Sequence, residues 1–305
     1  MILDLIKDKN FTKNPYLYTL ILLLMAKLVL FSSEIFTLGY INVVLNILPS
    51  SGYIINLVEL SSFIFITLLV IFLARKILKI SWNTLGFRKT GSLKEFLKGW
   101  GFGAIVLISC VAFMIIVGVV RIDKVTFDSK LILEFIPLLM VWSIQGNAEE
   151  VLTRGFLFSG VARKTNILIG IAVSAIFFTV MHLENDGISV IPLIDLFVFG
   201  IFAALVMIKT KNIWLVSGFH AAWNCFQGNV FAFPVSGTNV GNAFINVTTQ
   251  GPSWLTGGKF GVEGSIISLI VQIVLIILLC YDLFVKQKMN VLDKFDIETY
   301  TDEVE

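Results

Sequence analysis

The sequence predicts an all-α, polytopic membrane bundle of about eight transmembrane helices, and three observations carry that expectation. Of its 305 residues, 57% are hydrophobic and only 14% are charged, against about a quarter charged in a soluble domain. Several apolar runs reach the ~20 residues that a spanning helix needs. The basic residues gather on alternate connections between those runs, which is how a multi-pass chain is oriented in a membrane. The formal charge of +2 says nothing about a nucleic-acid partner, and with no basic stripe or interleaved aromatics none is expected.

Taken in order, residues 1–14 are polar, with Lys7, Lys9 and Lys13 before the first span, Tyr16 to Phe36. That run carries Lys27 and Glu34 and lacks a small-x-small cleavage site, so it reads as a retained span and not as a signal peptide. Residues 37–53 are free of charge and precede a second span, Ile54 to Ala74. The most basic connection follows, with Arg75, Lys76, Lys79, Arg88, Lys89, Lys94 and Lys98 against Glu95 alone. A third span, Gly99 to Val120, ends in a short mixed loop at 121–130. Leu131 to Ala162 is one long apolar helix or two end to end, too long for one perpendicular helix. The turn Arg163-Lys164-Thr165-Asn166 leads into Ile167 to Leu183, and Glu184-Asn185-Asp186-Gly187 into Ile188 to Ile208. Lys209 and Lys211 precede Ile213 to Phe231, a Gly-rich segment runs to Gly264, and a last span covers Ser265 to Val285. Residues 1–290 then form one integral membrane domain, with a core about 131–264 and a short acidic cytoplasmic tail at 291–305. The positive-inside bias places a multi-pass protein in the cell membrane with both termini in the cytoplasm.

Chemistry is concentrated in Asn147 to Gly155, where two carboxylates and an arginine interrupt an apolar run. A charge at membrane depth is costly, so such a cluster is a functional-site hypothesis. Glu150 and Arg154 are four apart and can pair along the helix. Glu149 points about 100° away and needs a partner from another helix. The two histidines, His182 and His220, both fall in apolar spans. Counted from the turn at Thr165, Glu149 and His182 lie at matching depth, about 24–26 Å along antiparallel helices. His220 and Asn224 share one helix face, as do Phe178 and His182. A carboxylate with an imidazole can take a proton from water, and a second imidazole with an amide can donate to an oxyanion. These types suit hydrolysis.

Glu149-Glu150-x-x-x-Arg154, Phe178-x-x-x-His182 and His220-x-x-x-Asn224, in this order on three helices, resemble the motifs of the CPBP family. This family comprises CAAX-type prenyl-protein endopeptidases and bacterial Abi or bacteriocin-processing membrane proteins. The resemblance covers about Gln145 to Gly237, and Gly251 to Gly258 is similar to segments of bacterial members. It implies an eight-helix intramembrane endopeptidase acting on a membrane-associated or lipid-linked peptide or protein. In it Glu149 and His182 would activate water while His220 and Asn224 would stabilise the oxyanion. Glu150 and Arg154, with Phe178, would be supporting residues, the first two as an internal ion pair. No obligatory cofactor is expected; were Zn²⁺ present, Glu149, His182 and His220 would be its donors. The expected partners are the lipid bilayer and a peptide or lipidated protein substrate, with the oligomeric state left open. A non-catalytic immunity or scaffold protein of the same fold is the alternative. A secondary transporter would require inverted repeats, which the sequence does not contain.

Elsewhere, Cys110, Cys225 and Cys280 read as small buried hydrophobes, having no metal or redox spacing. Lys27, seven residues before Glu34, reads as a snorkelling lysine, with pairing or a polar cavity as the other options. Glu59, Glu134 and Asp195 are expected at span ends or facing the bundle, and Asp195 is the deepest. The segment after Asn229, with Trp254 as an interface anchor, is expected as a cap over the site or an ordinary outer loop.

Overall fold

The computed structural model describes residues 13–49, 51–88, 90–295 and 297. Lys7, Lys9, Lys89 and most of the acidic tail, 298–305, lie outside the described residues. Asn14 opens α1, Pro15–Leu45, by accepting from the backbone of Tyr16 and Leu17, with Pro15 preset for the first turn. No charge or glycine pair stops this helix at Phe36, so it continues through the uncharged stretch. Ser51 caps α2, Gly52–Ile77, which ends in a π turn over Leu73–Ile77. Next come α3, Ser92–Ile116, and the single helix α4, Ser129–Lys164, which is capped by Asp128. At 1.5 Å per residue α4 is about 54 Å long, so it exceeds the ~30 Å hydrocarbon core.

Three more helices follow. They are α5, Ile167–Val180; α6, Val190–Thr210; and α7, Ile213–Cys225, continued by a π turn over Phe226–Val230. The last helix is α8, Ile266–Lys286. Six of these eight are long and apolar enough to cross a membrane: α1, α2, α3, α4, α6 and α8. The chain is thus a multi-pass membrane protein. The two shorter ones depart from the expectation of eight full spans for separate reasons. α5 has 14 residues and stops at Val180, not Leu183, because the chain turns at 181–184. α7 is interrupted by Ser217, His220 and Asn224 and is buried from Val216 to Cys225. It meets protein and not lipid, so it needs no lipid-facing apolar stripe.

The loop expected at 121–130 and the Gly-rich segment are not wholly irregular. Strand β1, Val120–Val125, pairs antiparallel with β2, Ile245–Thr249, in the register Val120↔Thr249 and Val125↔Ile245, with an irregularity between Ile122 and Lys124. The ribbon lies at the end of the bundle opposite the basic connections. At the basic end Lys209 Nζ pairs with Asp282 at 2.9 Å, and Trp214 Nε1 donates to Arg88 O at 3.0 Å. Outward faces carry Leu20, Leu24 and Phe31 of α1 and Ile270, Ile273 and Ile277 of α8, all exposed, as a lipid-facing surface requires.

α7 reaches the centre through small residues. A Cβ on Gly99 would come 1.9 Å from Leu215 O, one on Gly103 2.3 Å from Phe219 O, and one on Gly218 2.1 Å from Phe96 O. Backbone thus meets backbone between α3 and α7, the packing that small residues permit in membranes. Gly103→Val is expected to lower stability by at least about 1–3 kcal/mol, measured as thermal unfolding in detergent. An unchanged melting point would contradict the contact.

Candidate active site

Glu149 and Glu150 end the regular part of α4, and the chain passes directly into a π segment, Val151–Phe158. Such insertions in an α-helix recur at functional sites. Glu149 Oε1 accepts from Gln145 Nε2 of its own helix at 2.6 Å. This corrects the expectation that Glu149 lacks an intrahelical partner; Gln145, one turn earlier, is that partner. Its other oxygen, Oε2, makes no hydrogen bond. Oε2 lies 3.9 Å from His182 Nε2 and 3.7 Å from His220 Nε2. Both imidazoles therefore face the free oxygen, each just beyond direct hydrogen-bond reach.

The geometry also assigns the ring protons. His182 is not within a helix as expected; it sits in the turn after α5. Its Nδ1 is 2.7 Å from Phe178 O, and a carbonyl only accepts, so Nδ1 carries the proton. In the neutral ring, Nε2 then presents a lone pair toward Glu149. His220 Nδ1 is 2.9 Å from Glu150 Oε1, so it donates to that carboxylate, and its Nε2 can donate only in the imidazolium form. Phe178 touches both histidines, with ring centroids 4.7 Å from His182 and 6.1 Å from His220.

Glu150 and Arg154 form the ion pair expected of their spacing, at 2.9 Å with both side chains fully buried. Glu150 has a second contact that the spacing did not reveal, because its Oε1 also holds His220. Arg154 Nη1 donates to Thr153 Oγ1 at 2.7 Å, its Nη2 to Gly200 O at 3.3 Å, and its guanidinium lies 4.7 Å from the Phe178 ring centroid. Asn224 Nδ2 donates to Gln145 Oε1 at 2.9 Å. Gln145 thus links the amide of α7 to the carboxylate of α4.

These groups open onto a cavity of about 610 Å³. Glu149, His182, His220 and Asn224 line it, with Lys27, Asn56 and Glu59 from α1 and α2 and Ser236 from the segment after α7. Leu30, Leu60, Phe63 and Ile66 supply an apolar wall. Lys27 therefore faces a polar cavity and is not simply a snorkelling residue, and no ion pair joins it to Glu34 among the described residues. Val235, Ser236, Thr238 and Val240 of the segment after α7 also line the cavity.

Glu263 escaped the sequence reading, since its Gly-rich surroundings show no period. Its Oε1 accepts from Ser236 N, from Ser236 Oγ at 2.8 Å and from Gln227 Nε2 at 3.3 Å. Burial pushes the Glu263 carboxyl above its ordinary range, while the Ser236 donors and the charges of His182 and His220 pull it down. Glu134 sits near the start of α4, 3.8 Å from Lys130, and Cys110 and Cys225 are buried free thiols, with Cys280 half-buried. Among the described residues no group of three or more His, Cys, Asp and Glu is arranged to hold a metal ion.

No curated protein and no solved structure matches the chain. Its motif-bearing segment, residues 131–226, which holds Glu149, Glu150, Arg154, Phe178, His182, His220 and Asn224, matches the family described as Rce1-like, type II CAAX prenyl endopeptidase Rce1-like.

Proposed function

We propose that this protein is an intramembrane endopeptidase that hydrolyses a peptide bond in a membrane-associated or lipid-linked protein or peptide. The observation that carries the reading is the free Glu149 Oε2 facing two imidazole nitrogens inside a cavity. A water there donates one hydrogen to Glu149 Oε2 and the other to the lone pair of His182 Nε2. As its oxygen attacks the scissile carbonyl carbon, Glu149 takes the proton. The oxyanion accepts from protonated His220 Nε2 and from the Asn224 Nδ2 hydrogen not given to Gln145. Collapse expels the amine, which receives the proton from Glu149, so the cycle consumes only water. General-base transfer of this kind contributes about 10²–10⁴-fold.

The apolar wall beside the polar site suits a substrate with a hydrocarbon or apolar flank. By the positive-inside bias both termini face the cytoplasm, and the His182 turn lies at the end away from the basic connections. The test uses the purified protein in lipid nanodiscs with a quenched-fluorescent peptide, with and without a lipid tail. Cleavage of the lipidated peptide is expected, with the unmodified one slower. No cleavage of either, by protein shown to be folded, contradicts the reading for this substrate class. Because each step uses the chain's own side chains, prior treatment with a chelator is expected to leave the rate unchanged. Loss of activity restored by one added metal would overturn the metal-free route.

A further inference from the structure

Beside His220 and Asn224 lies a second, small cavity of about 20 Å³. Asp195, Glu263, Gln272, His220, Asn224 and Ser236 line it, so His220, Asn224 and Ser236 partition it from the substrate cavity. A cavity of this size admits one water, which needs about 10–15 Å³ and two to four polar partners.

Its lining is rich in acceptors. Asp195 is 1% exposed, its Oδ2 accepts from Gln272 Nε2 at 2.8 Å, and its Oδ1 has no partner. Gln272 Oε1 is likewise buried without a partner. Glu263, 8% exposed, differs in having three donors on one oxygen. Two carboxylates facing one small buried space do not both ionise. The donors favour the charge on Glu263; the orphaned oxygen favours the proton on Asp195. The other titratable groups that act on them are Cys110 from α3, and His182 and His220. None of these donates to Asp195.

We propose that Asp195 and Glu263 form a rear acid pair holding one proton, with the proton on Asp195 and the charge on Glu263, and that Glu263 is thereby a positioning residue for the imidazoles. The negative charge behind His220 favours the protonated ring from which Nε2 can donate, and this second half rests on the protease reading. The first half does not, and infrared spectroscopy of the full chain in nanodiscs tests it without substrate.

At neutral pH a protonated carboxyl C=O band, shifted in D₂O, is expected in the wild type and lost in Asp195→Asn; in Glu263→Gln, where the like charge is gone, it should titrate away at lower pH than in the wild type. Asp195→Glu should retain it at a shifted frequency, which covers the case where Asp195→Asn does not fold. Absence of the band in the wild type, its survival in Asp195→Asn or an unmoved titration of it in Glu263→Gln overturns the pair. For the second half, Glu263→Gln should move the basic limb of the pH–kcat profile about one unit toward acid, with KM unchanged. A lower rate with the limb unmoved reduces Glu263 to a brace for the cap. If the wild type cleaves nothing, the protease reading fails while the infrared result still decides the pair.

Discussion

Glu149→Gln is expected to slow peptide-bond cleavage by about 10²–10⁴-fold while leaving the protein folded. The amide oxygen can still accept from Gln145 Nε2, now 2.6 Å from Glu149 Oε1, so the α4 contact survives. What disappears is the basic oxygen that faces His182 and His220 at 3.9 and 3.7 Å. His182→Ala should cost a comparable factor, because it removes the second acceptor for the same water. Since the two act on one water, the double variant should be little slower than either single one. Rates from the nanodisc assay, alongside size-exclusion profiles for each variant, check this. Independent, multiplying losses would show that the two residues do not share a step.

Arg154→Met is expected to cost about 3–5 kcal/mol of stability, because it leaves a buried carboxylate without its cation. Glu150 and Arg154 are both fully buried at 2.9 Å, and Arg154 also ties α4 to Gly200 O of α6. Glu150→Gln is milder for the fold, yet it removes the charged acceptor for His220 Nδ1, so activity should fall more than stability. Yield of monodisperse protein and melting temperature report the first effect; the ratio of activity to folded protein reports the second. An unchanged melting temperature in Arg154→Met would mean that the His220 contact alone balances the buried Glu150 carboxylate.

The long helices were legible because their signal, apolar runs broken by basic connections, is simple and redundant. Their ends were less so. The halt of α5 at Val180 leaves no mark in an apolar run that continues to Leu183. The β1 strand left only a short one, since Val120-Arg121-Ile122-Asp123 alternates apolar and charged residues before Lys124 breaks the period, and four residues after a long span read equally as loop. At the site, the three helix-spaced pairs were readable because helical contacts repeat every three or four residues. The meeting of Glu149 with His182 followed from antiparallel geometry; that of His220 with them did not. Gln145 obeys the same spacing and was overlooked as a neutral amide beside two acids. Glu263 and Ser236 carry no such clue, because a loop held by its own hydrogen bonds has no period.

The central claim is that the chain cuts peptide bonds in the membrane through Glu149. The most direct measurement compares peptide termini, by quantitative mass spectrometry, in membranes of cells making the wild-type chain or Glu149→Gln at equal levels. New termini from one or a few membrane-associated proteins should occur only with the wild type, and their intact precursors should accumulate with the variant. Identical sets of termini from the two would contradict the account.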